Sequence, residues 1–351
     1  MSKVYGIDPG TMFFQTAEND SKGKLNLKEI RNAFVELEAS EDIEQVLSQN
    51  DWQYVKDGSH YFVIGEDSMR VARMFPGKVE LRRPMQGGVL NKGEDKKMLI
   101  MAKMIESSIG KAPDDMSLVC VCISSPPVDH AVDSTFHKAR LDGMFKRLGW
   151  NTKVIEEGHA IILSENPSII EADGKKIPFS GIGISFGAGK VNCVLVYRGL
   201  SIVGMSAARS GDWIDKKVSE HTDSSLSQIT HIKETELDFN NIDYDNDIIF
   251  ALDAYYTNMI EYVFKNFAKK FKEVKSEFEA PLPIVIAGGT SMPKGFKEKV
   301  ESVVKDLDLP FKIKEVVQSK DPRNSVVKGL LTQAIISQKK LKEKEIDKML
   351  E

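Results

Sequence analysis

Long apolar runs are missing from this 351-residue chain, and so is a large excess of either charge. No stretch approaches the ~20 apolar residues that a membrane-spanning helix needs, and membrane attachment is not expected. The formal net charge of −4 offers no bulk attraction to nucleic acid or to an anionic membrane surface, so neither is expected as a direct partner. Cysteine is scarce. Cys120, Cys122 and Cys193 all lie in apolar runs without metal-ligand spacing, which predicts buried thiols in a reducing compartment. The opening "MSKVYGID" passes straight into a strand without a leader-like apolar region, and the expectation is a cytoplasmic protein. What is present is 41% hydrophobic and 28% charged residues. At this length that predicts two domains, or two halves sharing a cleft.

Strand-like and helix-like patterns alternate. "KVYGID" and "MFFQTAEN" read as strands on either side of "DPGT", where Pro9 presets φ and Gly10 tolerates φ > 0. Weaker β-like segments run from "LNLKEIRNAFVELE" to "SHYFVIGED". Residues 94–109 carry apolar positions at helical spacing, "SLVCVCISS" is a buried-strand run, and "VDSTFHKARLDGMFKRLGW" is an amphipathic helix. "TKVIEE" is a short strand leading into "GHAIILSEN". After a polar segment at 171–180 the pattern restarts with three strands, "GIGISF", "KVNCVLVYRG" and "LSIVGMSAA". Mostly helical sequence fills 210–275, "LPIVIAGG" is another buried strand, and a last helix is expected to begin with Asp321 as N-cap and Pro322 at its first position. The charged end of that helix reads as a solvated tail.

An internal repeat organises these elements. Gly6-Ile7-Asp8-Pro9-Gly10 overlays Gly183-Ile184-Ser185-Phe186-Gly187, about half the chain later, and each lies between two strand-like runs. The repeat predicts a duplicated α/β domain with both hairpins facing a cleft. Glycine-rich hairpin tips present backbone N–H groups that bind phosphate oxygens. Asp8 could hold Mg²⁺ through its waters, and Thr11 could add a hydroxyl. In "AGGTSMPKGF" a buried strand ends in Gly288-Gly289 before a helix, where glycines permit close approach by a flat ligand such as a purine.

In order and spacing these stretches resemble the actin, heat-shock chaperone ATPase and sugar-kinase superfamily, most closely the bacterial actin MreB and related filament proteins. "GIDPGT" stands for the first phosphate motif and "GEDSMRVARMFPGKVELRRPMQGGVL" is similar to an MreB segment. "VCVCISSPPVDHAVDSTFHKA" matches the first connecting strand and helix, and "VIEEGHAIIL" the segment next after them. "GIGISFGAGKVNCVLV" occupies the second phosphate motif, "SGDWID" the G-G-D-x-x-D segment, "HIKE" the lysine–glutamate pair, and "IVIAGGTSMPKGF" the adenosine motif. "SVVKGLL" stands for the second connecting helix, whose Gly329 permits close packing.

The resemblance implies an actin-like ATPase fold of duplicated α/β domains around a nucleotide cleft. The first half spans 1–150, with an outer subdomain at 30–80, and is completed by the helix 320–351; the second half spans 151–319, with an outer subdomain at 207–275. It implies ATP or ADP and Mg²⁺ as cofactors. Asp8 would organise the metal, and Gly10 and Thr11 would bind phosphate. Gly187, Ala188 and Gly189 would form the opposing phosphate loop, with Ser185, Lys190 and Gly211 around it. Lys233 and Glu234 would approach the ribose and base, and Gly288, Gly289 and Thr290 would cradle the adenosine. The water-positioning acid is sought at the start of the first connecting helix, as Asp129 or Asp133, either of which could instead be a helix cap or a solvated acid.

Two departures bear on activity. Ser185 replaces an acid of D-x-G-G-G-T, and Lys190 replaces a small hydroxyl residue. Losing one charged group from a phosphoryl-transfer site costs about 10²-fold in rate, so slow hydrolysis is expected. Lys190 either offers a cation to the γ-phosphate or points away along its strand. Met12, Phe13 and Phe14 read as core packing, as do Met74 and Phe75 of "ARMFPG". The function expected is an ATP-binding protein that polymerises into cytoskeletal or segregation filaments, with an adaptor or cargo as a further partner and contacts varying at 40–60 and 220–245. The alternatives are a non-polymerising nucleotide sensor, a chaperone-type ATPase, against which the charged terminal helix is read, and a small-molecule kinase or phosphatase.

Overall fold

The computed structural model describes residues 2–75, 78–129, 134–165, 168–170, 176–274 and 280–350. It forms two compact units. One comprises Met1–Val121, Thr135–Lys153 and Ala334–Glu351, and the other Cys122–Ser134 and Val154–Gln333.

The chain begins with β1 (Val4–Pro9), β2 (Phe13–Asn19), β3 (Leu25–Arg31) and β4 (Phe34–Glu38). Then come α1 (Glu41–Gln49), β5 (Tyr54–Asp57), β6 (His60–Ile64), α2 (Glu66–Met74), β7 (Met85–Gln86), β8 (Val89–Leu90) and α3 (Lys97–Ile109). β9 (Leu118–Ile123), α4 (Ser134–Arg147), β10 (Asn151–Glu156) and α5 (Glu157–Glu165) lead through the short β11 (Ser168–Ile170) and β12 (Lys176–Pro178) to β13 (Gly181–Phe186), β14 (Val191–Tyr197) and β15 (Leu200–Ala207). α6 (Gly211–Thr222), α7 (Leu226–Thr235), α8 (Asp247–Lys272), β16 (Leu282–Ala287), a 3₁₀ turn (Gly289–Ser291), α9 (Phe296–Lys305), β17 (Ile313–Gln318) and α10 (Ser325–Leu350) complete it.

The duplication read from five residues is a duplication of topology. One five-stranded sheet has the order β3-β2-β1-β9-β10, and another has β15-β14-β13-β16-β17. In each, the first strand pairs antiparallel with the second and parallel with a later buried strand. Asp8 lies opposite Gln15, and Ser185 lies opposite Asn192. The last pairs are Pro9–Phe14 and Phe186–Val191, so the loops 10–13 and 187–190 are equivalent. They share their tightness: a Cβ on Gly10 would sit 2.7 Å from the Phe13 carbonyl oxygen, and one on Gly187 would sit 2.8 Å from that of Lys190. Gly10 is therefore needed for space. It is absent from the positive-φ residues, which corrects the expectation of a left-handed turn.

Alternation along β13 and β14 sorts the second sheet into an apolar and a polar face. Ile182, Ile184, Phe186, Val191, Cys193 and Leu195 enter a buried core with α8. α8 joins that core through an apolar stripe, Leu252, Tyr256, Met259, Ile260, Val263, Phe264 and Phe267, at helical spacing. Asn246 caps it by accepting from the amides of Ile248 and Ile249 at 3.0 and 3.2 Å, and lysines fill its last turn. On the opposite face, α5 approaches β13 so closely that a Cβ on Gly158 would lie 2.6 Å from the Gly183 carbonyl oxygen. By the same alternation Ser185, Asn192 and Val194 share this face.

Other expectations shift. The β-like stretch after β3 contains α1, which Ser40 caps with acids in its first turn. The last helix starts at Ser325. Asp321 instead closes the preceding turn, accepting from Asn324 at 3.0 Å and Lys328 at 2.5 Å. Phe14 is core, whereas Phe13 is half-buried beneath the Arg31 guanidinium, 5.0 Å from its ring centre, and Met12 is half-buried. Phe75 packs on the cluster of Val35, Leu47, Tyr61, Val63 and Val71, but Met74 is 56% exposed. All three cysteines are free and buried, and burial pushes the Cys120 thiol up to about 12. No helix among the described residues is long and apolar enough to cross a membrane.

Candidate nucleotide-binding site

In the first unit, Asp8 is half-buried at the end of β1, with one carboxylate oxygen 3.7 Å from where a Gly10 Cβ would lie. The loop behind it is held from two sides. Asn32 Nδ2 donates to the Gly10 carbonyl at 2.8 Å, and the Gly88 amide donates to Thr11 Oγ1 at 3.0 Å. Thr11 is buried, and a hydroxyl that accepts one bond still has a proton to give a phosphate.

In the second unit the expected loops come together. The start of α6 docks on the tip of the second hairpin, with the Gly211 amide donating to the Gly187 carbonyl at 3.1 Å and the Asp212 amide to the Ala188 carbonyl at 2.8 Å. Thr290 Oγ1 donates to the same Gly187 carbonyl at 3.0 Å, and the Tyr256 hydroxyl holds the Thr290 carbonyl at 3.1 Å. Gly211 is required by this junction, because its Cβ would fall 2.5 Å from Thr290 Oγ1. Gly288, at φ +101°, would drive a Cβ to 2.3 Å from the Phe186 carbonyl oxygen. Gly289, by contrast, is exposed, and a Cβ there meets nothing within 4 Å. That open surface beside a rigid Gly-rich turn fits a flat heteroaromatic ring next to its phosphates.

The lysine–glutamate pair separates. Successive helical residues point about 100° apart. Lys233 turns inward and pairs with Asp215 at 2.6 Å, with a longer bond to the Gly211 carbonyl at 3.3 Å, while Glu234 is exposed. The buried Lys233–Asp215 pair therefore braces α6, and Thr230 adds a hydrogen bond to Asp215 at 2.8 Å. Asp215 lies in "SGDWID" but drew no role from sequence, since nothing local shows that its partner is 18 residues away.

The polar face of β13 and β14 carries Ser185, 2% exposed, and the loop between them carries Lys190, 7% exposed. Lys190 is thus a buried lysine rather than a solvated one. Burial lowers its pKa, while Glu157 and Asp129 in electrostatic reach work the other way. Asp129 is partly committed, accepting from the Ala208 amide at 2.8 Å and the Tyr262 hydroxyl at 3.3 Å, and burial followed by Asp129 raises the Tyr262 pKa. Its other oxygen is buried without a hydrogen-bond partner among the described residues, as is Asn192 Nδ2. Asp133 lies outside the described residues. Glu157 was missed as a candidate. It is the first residue of α5, in electrostatic reach of Lys190, and the signal was its place in "VIEEG" where strand passes into helix.

These residues fit a nucleotide. They do not fit a divalent cation on the second unit. No group of three potential metal ligands occurs among the described residues, and the Glu157 and Asp129 carboxylates are in electrostatic reach of the Lys190 ammonium. Asp8, on the first unit, is the acid that the two phosphate motifs retain.

A family model described as Volactin matches residues 3–334. No curated protein sequence matches the chain. Among solved structures, the chain is similar to the MamK double helical filament, with 17% identity and a TM-score of 0.67 over 95% of this chain and 99% of that one. It is similar to MreB5 of Spiroplasma citri bound to ADP, with 12% identity and a TM-score of 0.68 over 97% and 99% of the two chains. The AMPPNP-bound form of that MreB5 matches with 14% identity and a TM-score of 0.64 over 100% and 98%. At such identities the likeness is one of fold, and the fold is actin-like.

Proposed function

The chain belongs to the volactin family, and on that premise we propose that it is an actin-like protein that binds ATP or ADP, self-assembles into filaments and hydrolyses ATP slowly. The observation that carries the reading is the junction in the second unit, where Gly187, Ala188, Gly211 and Thr290 lock into one rigid turn beside the open Gly289. Fixing these groups in advance removes an ordering cost from phosphate binding. In this reading the 187–189 turn holds phosphate and the 288–290 loop receives the adenosine. Lys233 braces the ribose side rather than reaching the ligand freely, and Glu234 is the weaker candidate.

Filament formation is supported by the likeness to a MamK filament, and nucleotide binding by the ADP-bound MreB5. Stacking of identical subunits head to tail gives an open polymer because the operation relating them does not close. Slow turnover follows from Ser185, which can bond a water but brings no charge to position it. Glu157, at the start of α5, joins Asp129 as a candidate to orient the attacking water. A non-polymerising nucleotide sensor is the second reading, favoured by the same Ser185 and Lys190 substitutions.

High-speed pelleting with negative-stain microscopy in ATP, in ADP and without nucleotide separates the two. Filaments that appear with ATP support the proposal. A monomer that binds nucleotide yet stays soluble in all three conditions refutes polymerisation and leaves the sensor.

A further inference from the structure

We propose that Lys190 is a built-in cation for the terminal phosphates of the bound nucleoside triphosphate, standing in for divalent-metal charge, so that nucleotide binding is largely independent of Mg²⁺. The inference rests on the nucleotide reading above and specifies how that site neutralises its ligand.

The repeat provides an internal control on what the loop itself requires. Loops 10–13 and 187–190 have the same length, the same flanking pairs and the same tight glycine contact. Position 190 corresponds to Phe13 in the first hairpin. The turn can therefore be built with an apolar residue at this place, and the fold does not demand a lysine. Yet the lysine is 7% exposed, in a place where burial disfavours its charge. Glu157 and Asp129 act on it electrostatically, in favour of its charged form. Surroundings that disfavour the charge of this lysine carry a cost in the empty protein, and an anion arriving at the loop's N–H groups would relieve that cost.

The charge balance of the loop agrees. Relative to D-x-G-G-G-T, the second motif has lost an acid at Ser185 and gained a base at Lys190. Both changes make the turn more positive. The removed acid would have favoured a hydrated metal ion, and the added ammonium disfavours one by like-charge repulsion. Either alone would unbalance a metal-dependent site. Together they exchange a diffusible cation for a fixed one.

The test titrates ATP into the full chain by calorimetry, in excess Mg²⁺ and in EDTA. For the natural sequence the two dissociation constants should agree within about threefold, less than one charge-assisted hydrogen bond is worth. Lys190→Met should weaken binding in EDTA by about tenfold or more, the loss of one such bond, and recover part of it in Mg²⁺. Lys190→Arg should keep the natural ratio, since it keeps the charge, and also guards against a general folding defect. The double variant Ser185→Asp with Lys190→Thr should bind tightly only with Mg²⁺. Equal Mg²⁺ dependence in the natural protein and Lys190→Met overturns the proposal and leaves Lys190 a structural residue whose loss shows only in melting temperature. Absence of ATP binding to the natural protein in both buffers overturns the nucleotide reading itself, and this proposal with it.

Discussion

Substituting Gly329 by alanine tests the packing that fixes α5, and with it the position of Glu157. Gly329 lies in the second turn of α10, against α5. A Cβ there would fall 1.7 Å from the Ala160 carbonyl oxygen, 2.5 Å from its carbon and 3.0 Å from its Cα. These are backbone atoms of a helix, so no side-chain rotation relieves them. Ordinary contact begins at 3.4 Å, and the helices must part by about 1.7 Å to reach it. A gap of about 0.5–1 Å already forfeits a quarter to a half of a dispersion contact, so the α5–α10 interface would be largely lost. Overpacking costs about 1–3 kcal/mol in an adjustable core, and an encounter with rigid backbone belongs at the top of that range or above it. The better helix propensity of alanine returns about 1 kcal/mol. A net loss of about 2–3 kcal/mol corresponds to about 4–12 °C in melting temperature for a unit of this size.

Gly143→Ala supplies the contrast. Gly143 is inside α4, and a Cβ there meets nothing within 4 Å, so alanine should stabilise by about 0.5–1 kcal/mol. Circular-dichroism melts of the two variants should move in opposite directions. Because α5 is also seated by Gly158 on Gly183, displacing it should lower single-turnover ATP hydrolysis as well. A Gly329→Ala melt within about 2 °C of the natural protein, or shifts of the same sign in both variants, would refute the reasoning.

Lys233→Met should destabilise by about 3–5 kcal/mol in urea melts, because it strands the buried Asp215 carboxylate. Adding Asp215→Asn should recover part of that loss, and a double variant no better than Lys233→Met would sink the assignment. In the first unit, Arg82 makes two 2.8 Å bonds to Glu94 and a further ion pair with Glu36. Burial opposes the charged form of Glu94, but the Arg82 bonds outweigh it and hold its pKa below the ordinary 4.5. The resulting stability is present above that ordinary value and is lost as pH falls through the lower folded one. Glu94→Gln should therefore cost about 1–3 kcal/mol at neutral pH, with the difference shrinking at pH below about 4. A difference constant from pH 7 to 3 would count against the pair.

Much of this architecture was legible because its signals are local. Alternation, fully apolar runs and glycine-rich turns report the strands β1, β2, β9, β13, β14 and β16, and the two G-I-x-x-G stretches report the duplication that the two sheet orders share. The glycines of the two hairpin loops were legible for the same reason: at Gly10 and Gly187 the demand comes from a carbonyl three residues further along. α1 was harder to see because it sits inside a stretch rich in β-formers, and the start of α10 was misplaced because an Asp-Pro pair suits a turn as well as a cap.

The pattern of strands and turns and the repeated hairpin are thus written in the amino-acid order alone, since each depends on neighbours along the chain. Which charges are committed is settled in the folded chain. Lys233 is held by Asp215, Asp129 by Ala208 and Tyr262, and Lys190 is buried in electrostatic reach of Glu157. Such pairings join residues far apart in the chain, and their strength depends on burial, which no local pattern encodes.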